Sequence, residues 1–78
     1  MRRVGQVVRT AQGLAILRAA EAGPDHRDTI GTQVKDESLA DVGRVVDVFG
    51  PVEEPYLAVT PDDDIHLPSL IGSTLYAR

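Results

Sequence analysis

The chain of 78 residues has no cysteine and no tryptophan, a single methionine, a single lysine and three aromatic residues. Without cysteine there is no disulfide staple and no thiolate metal site. Packing alone must then hold a domain near the lower size limit for an independent core. Long apolar runs are absent too. Met1-Arg2-Arg3-Val4 does not open a signal peptide, and no segment approaches membrane-spanning length. The expectation is one cytoplasmic domain over residues 1–78, with no membrane partner, no linker, no internal repeat and no low-complexity tail.

Positive charge is scarce. The net charge is −4 and the pI about 4.9. A free-standing nucleic-acid binder concentrates positive charge to displace counterions from phosphate. Here the basic residues read as scattered, so RNA is expected to be reached only through a partner. Arginine supplies all the basic residues except Lys35. That bias, with the acidic excess, suits a proteome kept soluble at high salt.

Short extended segments alternate with Gly, Pro and Asp clusters, the rhythm of an all-β domain. Val4 to Thr10 reads as a first strand, with Val4 and Val8 on one face and Val7 on the other. Ala11-Gln12-Gly13 is a tight turn. Leu14 to Ala20 returns as a second strand, too short between its turn signals to be a stable helix. Residues 23–28 form a surface loop, and Thr32-Gln33-Val34 is a short strand leading into a polar turn at 35–38. Leu39 to Phe49 is the longest expected strand, bending near Gly43. Tyr56 to Thr60 follows and Pro61-Asp62-Asp63-Asp64 breaks it. Leu67 to Leu70 makes a short turn of helix, and Gly72 to Tyr76 is the last strand. Five or six short strands with little helix predict a small barrel, the closure that removes exposed edges.

The richest stretch runs from Val45 to Val59. A strand ends in Phe49-Gly50-Pro51, crosses Val52-Glu53-Glu54, and re-enters a strand through Pro55-Tyr56. Phe49 can plug the end of the barrel, the usual fate of a Phe in a small β domain. Alternatively, Phe49, Pro51 and Val52 form an apolar knob, restricted by Gly50 and Pro51 so that little entropy is lost on docking. Pro51 belongs at a corner because proline cannot sit in a central ladder. Tyr56 either satisfies its hydroxyl at the rim or lies across a partner. Leu57 and Val59 are expected in the core.

Chemistry finds little support. Asp62-Asp63-Asp64 with His66 lacks the turn length and glycine bend of an oxygen-ligand site, and reads as a solvated acidic patch. His26 and His66 have no zinc-ligand spacing. Asp25 and Asp28 offer His26 no more than a local hydrogen bond. Ser38, Ser69 and Ser73 stand in no nucleophile motif. Asp47 is a surface charge, or an acceptor toward a partner. A filled small barrel leaves little room for a substrate. The expectation is a protein without catalytic residues, cofactor or metal.

The order of motifs resembles the archaeal glycine-arginine-rich protein subunit of H/ACA ribonucleoproteins, the small partner of the dyskerin-type pseudouridine synthase. The resemblance lies in Arg3-Val4-Gly5-Gln6-Val7, in the segment from Val42 to Val52, in Pro55-Tyr56-Leu57-Ala58-Val59 with Pro61, and in Gly72-Ser73-Thr74-Leu75-Tyr76. It spans nearly the whole chain, and the middle segment is the most specific part. It implies a small six-stranded barrel of the translation-factor/reductase type, docked on the synthase and doing no chemistry itself. Such a subunit assists RNA loading and release by positioning a mobile loop of the enzyme. The basic tail and glycine-arginine arms of the family are missing here. The resemblance makes Phe49, Gly50, Pro51, Val52, Pro55 and Tyr56 the partner-binding residues, with self-association as a possibility for the free chain. The alternatives are an H/ACA assembly factor with a related core and a small barrel of the ribosome or translation machinery.

Overall fold

In the computed structural model, which describes residues 2–20 and 29–77, six antiparallel strands close into a barrel in the order β1-β2-β5-β4-β3-β6. The strands are β1 (Arg2–Ala11), β2 (Leu14–Ala19), β3 (Gln33–Lys35), β4 (Asp41–Phe49), β5 (Tyr56–Pro61) and β6 (Thr74–Ala77). A 3-10 helix over Leu67–Leu70, with Pro68 in its first turn, packs Leu70 into the core. The expected loop at residues 23–28, including Asp25, His26 and Asp28, lies outside the described residues.

The β1–β2 connection is a two-residue turn in which Gln12 and Gly13 both take positive φ, 53° and 77°. That is the turn whose twist matches paired strands. Closure is weakest at β3–β6, where Lys35 opposite Tyr76 is the paired position.

Two expectations of the sequence are corrected. Val4 and Val7 both enter the core, and Val8 is half-buried. The cause is a pair of irregularities in β1, at Arg3/Gly5 against β6 and at Val7/Arg9 against β2. Each inserts one residue and shifts the two-residue alternation. Similarly, β4 begins at Asp41 rather than Leu39, because Leu39 takes φ 69°. A branched residue in the left-handed region cannot continue a strand. The bend foreseen near Gly43 coincides with the register shift between β3 and β4.

A third correction is the repeat. Strands β1–β3 and β4–β6 are two copies of one unit. Val7 faces Leu17 as Val45 faces Val59, and Gly5 faces Ala19 as Gly43 faces Pro61. The bulges fall at matching places, between Val7/Arg9 and between Val45/Asp47. Val7 donates to Ser73 O and accepts from Gly72 N, while Val45 donates to Thr32 O and accepts from Gly31 N. Val4-Gly5-Gln6-Val7-Val8 repeats as Val42-Gly43-Arg44-Val45-Val46, and Ile30-Gly31-Thr32 as Ile71-Gly72-Ser73. Each unit places its third strand on the other: β3 pairs with β4, and β6 with β1.

The interior follows the repeat. Val4, Val7, Leu17 and Val34 of the first unit meet Val42, Val45, Val59 and Leu75 of the second. Burying each of these contributes on the order of 1.5–3 kcal/mol. Gly5 and Gly43 admit the tight crossings. A Cβ would stand 2.4 Å from Arg18 O at Gly5 and 2.0 Å from Thr60 O at Gly43.

Candidate functional site

The corner between β4 and β5 is built on one aromatic pair. Phe49 and Tyr56 are the last opposed residues of the two strands, and their rings stack with centroids 5.8 Å apart at 22°. Phe49 is 38% exposed, so it does not plug the barrel. Offset stacking of this kind adds about 0.5–1.5 kcal/mol beyond area burial. Gly50 then turns the chain at φ 91°, and a Cβ there would meet the Tyr56 ring at 3.0 Å. Gly50 is thus required twice, by its dihedral and by the ring beside it.

Beyond it, Pro51 and Val52 project outward, Val52 with 59% of its surface exposed. Glu54 N donates to Pro51 O at 3.1 Å and closes the turn. Pro55 differs from its expected place at a binding surface, because it is buried. Its carbonyl accepts from Ala19 N at 3.0 Å, so it anchors the corner to β2. Arg18 and Glu54 pair across the same junction at 3.5 Å, with both side chains more than half exposed. Such surface pairs contribute little. The structure therefore gathers Phe49, Gly50, Pro51, Val52 and Tyr56 into one surface with Pro55 beneath it. Leu57 and Val59 lie in the core as expected, and Ala58 is buried as well.

Asp47 accepts from its neighbour's amide, Val48 N, at 2.8 Å. Asp62, Asp63 and Asp64 are exposed, and Asp62 N donates to Val42 O. The β3–β4 loop is more ordered than a polar turn requires. Asp36 Oδ1 accepts from Ser38 Oγ at 2.6 Å, Ser38 N at 2.8 Å and Ala40 N at 3.1 Å. The Ser38 hydroxyl, against the opposing effect of burial and with help from the amides of Ala40 and Ser38, holds the Asp36 carboxyl below its ordinary pKa. The loop keeps Leu39 in its left-handed conformation with 60% of its surface exposed. Lys35 and Asp41 pair at its base.

Half of the eight basic residues are gathered in one hairpin rather than scattered. Arg2, Arg3, Arg9 and Arg18 all belong to the β1–β2 hairpin, and residues 2–20 contain no acid. From Thr29 to Ala77, nine carboxylates stand against Lys35 and Arg44. The net charge of the whole chain conceals this partition. The acid-free stretch was the signal in the sequence that would have revealed it.

No family model matches the chain, and no curated protein matches it. Among solved structures, the chain is similar to a "Structure of the Gar1 domain of NAf1". The TM-score is 0.68 at 16% identity, over 97% of this chain and 84% of that one. At that identity the likeness is one of fold: the small closed barrel described above is shared with a Gar1 domain.

Proposed function

We propose that this chain is a non-catalytic protein-binding subunit of an H/ACA-type, RNA-guided pseudouridylation complex, acting in rRNA modification and ribosome biogenesis. It docks on a dyskerin-type pseudouridine synthase and assists the loading and release of substrate RNA. The observation that carries this reading is the fold likeness to a Gar1 domain along nearly the whole chain. The motif order from Val42 to Val52 supports it from the sequence side.

The docking surface is the corner of Phe49, Gly50, Pro51, Val52 and Tyr56. Its backbone is restricted by Gly50, Pro51 and the hydrogen bond from Glu54 to Pro51, and its aromatic rings are already packed on each other. A surface ordered before binding loses little entropy when it docks. An exposed apolar side chain beside two aromatics has the composition of an interface centre.

Val52→Asp tests the reading. A charge buried at an interface without a partner costs several kcal/mol, on the order of a whole hot spot. The expected result is loss of synthase capture in a pull-down with a melting temperature within a few degrees of wild type. A variant that remains folded and still captures the synthase removes Val52 from the docking surface.

A further inference from the structure

We propose that the outer face of the β1–β2 hairpin binds the phosphate backbone of RNA. The face is defined by pairing. Gln6 opposes Arg18, Arg9 opposes Ile16, and Arg3 opposes Tyr76 of β6. Arg3, Gln6 and Arg18 line one shallow cleft of about 150 Å³ with Thr74. Its floor is Gly5, where the close approach of Arg18 O leaves no room for a side chain. Arginine thus borders a depression with a bare-backbone floor, whose walls are Gln6 and Thr74 together with Ala19 and Ala20. Arg9 continues the line toward the turn, and at about 3.3 Å per residue the strip from Arg3 to Arg9 extends roughly 20 Å. That length follows several phosphates of an extended strand.

The chemistry favours phosphate over an acidic protein segment. All the cations of the hairpin are arginines, whose planar fork matches phosphate oxygens two at a time. The cleft holds no aromatic anchor of the kind that centres protein interfaces, whereas the β4–β5 corner has two. Among the described residues, Arg18 pairs with Glu54 in an exposed contact at 3.5 Å, weak enough to exchange for a phosphate. Two of the equivalent positions of the second unit carry the opposite sign: Asp41 stands where Arg3 does and Asp47 where Arg9 does, while Thr60 takes the place of Arg18, and Arg44, in the place of Gln6, is tied to Gly31 O and the Gln33 side chain. A barrel with an acid-free, arginine-bearing hairpin and an acid-rich second unit orients itself in the field of a polyanion. At the net charge of −4, this face adds contacts rather than supporting tight binding alone.

The inference rests on the charge distribution and not on the docking reading, so the two fail separately. The test is a titration of the isotope-labelled 78-residue chain with an unlabelled 15-nucleotide single-stranded RNA at low salt, followed by amide chemical shifts. The expected shifts centre on Gly5, Gln6, Arg9, Arg18 and Thr74 and vanish at high salt. Arg3→Glu with Arg9→Glu weakens binding at least about fivefold, the direction that losing two phosphate contacts requires. Adding Asp63→Lys and Asp64→Lys to that variant restores the net charge of −4 without restoring the face. Binding that stays weak in the fourfold variant supports the proposal. Recovery to the wild-type level overturns it, because net charge alone then governs. Absent shifts, or shifts confined to the β4–β5 corner, also overturn it. So does a polyglutamate of equal charge that moves the same amides as strongly as RNA.

Discussion

Arginine stands in the first unit of the barrel where aspartate stands in the second, on strands paired in the same register. Arg3 and Asp41 are equivalent, as are Arg9 and Asp47. The connections differ as well. Ala11 and Leu14 are joined by Gln12-Gly13, whereas the equivalent Phe49 and Tyr56 are separated by the corner from Gly50 to Pro55. Inside, the units agree: valine or leucine faces valine or leucine, and a glycine marks each tight crossing. Close packing restricts the inner positions, because a change of one methylene is felt there. The outer positions and the turns carry no such restriction, and there the two copies have diverged into a cationic face and an apolar corner.

The strongest challenge to this equivalence is a methyl group at Gly5 or Gly43. Each Ala substitution drives a Cβ into the backbone of the neighbouring strand, so no side-chain rotation relieves it. Both are expected to destabilise the barrel by at least about 3 kcal/mol, with Gly43→Ala the worse because its contact is 2.0 Å against 2.4 Å. Thermal unfolding measures this as a fall of roughly 12 °C or more. Tolerance at one site and collapse at the other would break the equivalence of the crossings.

A smaller effect separates the two connections. Gly13 and Gly50 both take positive φ, but a Cβ at Gly13 meets nothing within 4 Å, while at Gly50 it meets the Tyr56 ring. Gly13→Ala should cost about 1–2 kcal/mol from the backbone alone. Gly50→Ala should cost about 1 kcal/mol more, since the stacked ring must shift. Denaturant midpoints of the two variants decide it. Equal losses would mean that the Phe49–Tyr56 stack does not brace the corner.

The smallest expected effect concerns the loop that joins the units. A carboxyl whose pKa is depressed by folding stabilises the fold above its unfolded pKa, and that contribution is lost as pH falls through the folded one. Asp36 is in this position, chiefly through the Ser38 hydroxyl. Ser38→Ala should therefore raise the Asp36 midpoint toward its ordinary value and flatten the acid limb of the stability curve. The side-chain carbonyl shift of Asp36, followed by NMR against pH, tests this. An unchanged midpoint would show that the amides of Ser38 and Ala40 suffice.

Local chemistry made part of this architecture legible. Ala11-Gln12-Gly13 read as a tight turn, Leu67 to Leu70 as a short turn of helix, and the Phe-Gly-Pro segment as a corner, because each depends on the conformational range of a few residues. The core role of Leu57 and Val59 was legible as well, since β5 carries no bulge against β2. Val4 and Val7 share the core because β1 is irregular around Val4, and the second irregularity after Val7 displaces Val8; nothing in the composition of this stretch announces either. Pro55 was expected at the surface, yet adjacency to an exposed turn does not reveal that its carbonyl must reach Ala19. The repeat stayed hidden because its shared residues are few and unequal connections separate them.

By itself, the sequence determined the class of the fold and the stiffness of its turns, since alternation, proline and glycine act over a few residues. It also contained the acid-free run from Arg2 to Ala20, which requires only counting. Tertiary structure alone decided which of those residues share a face. Strand pairing sets Arg3 and Arg18 across Gly5, places Arg9 against Ile16, and gives Asp41 and Asp47 the matching positions on the other unit. The physical reason is register. A one-residue shift turns every side chain of a strand to the opposite face, and register is settled only when distant strands pack around a common core.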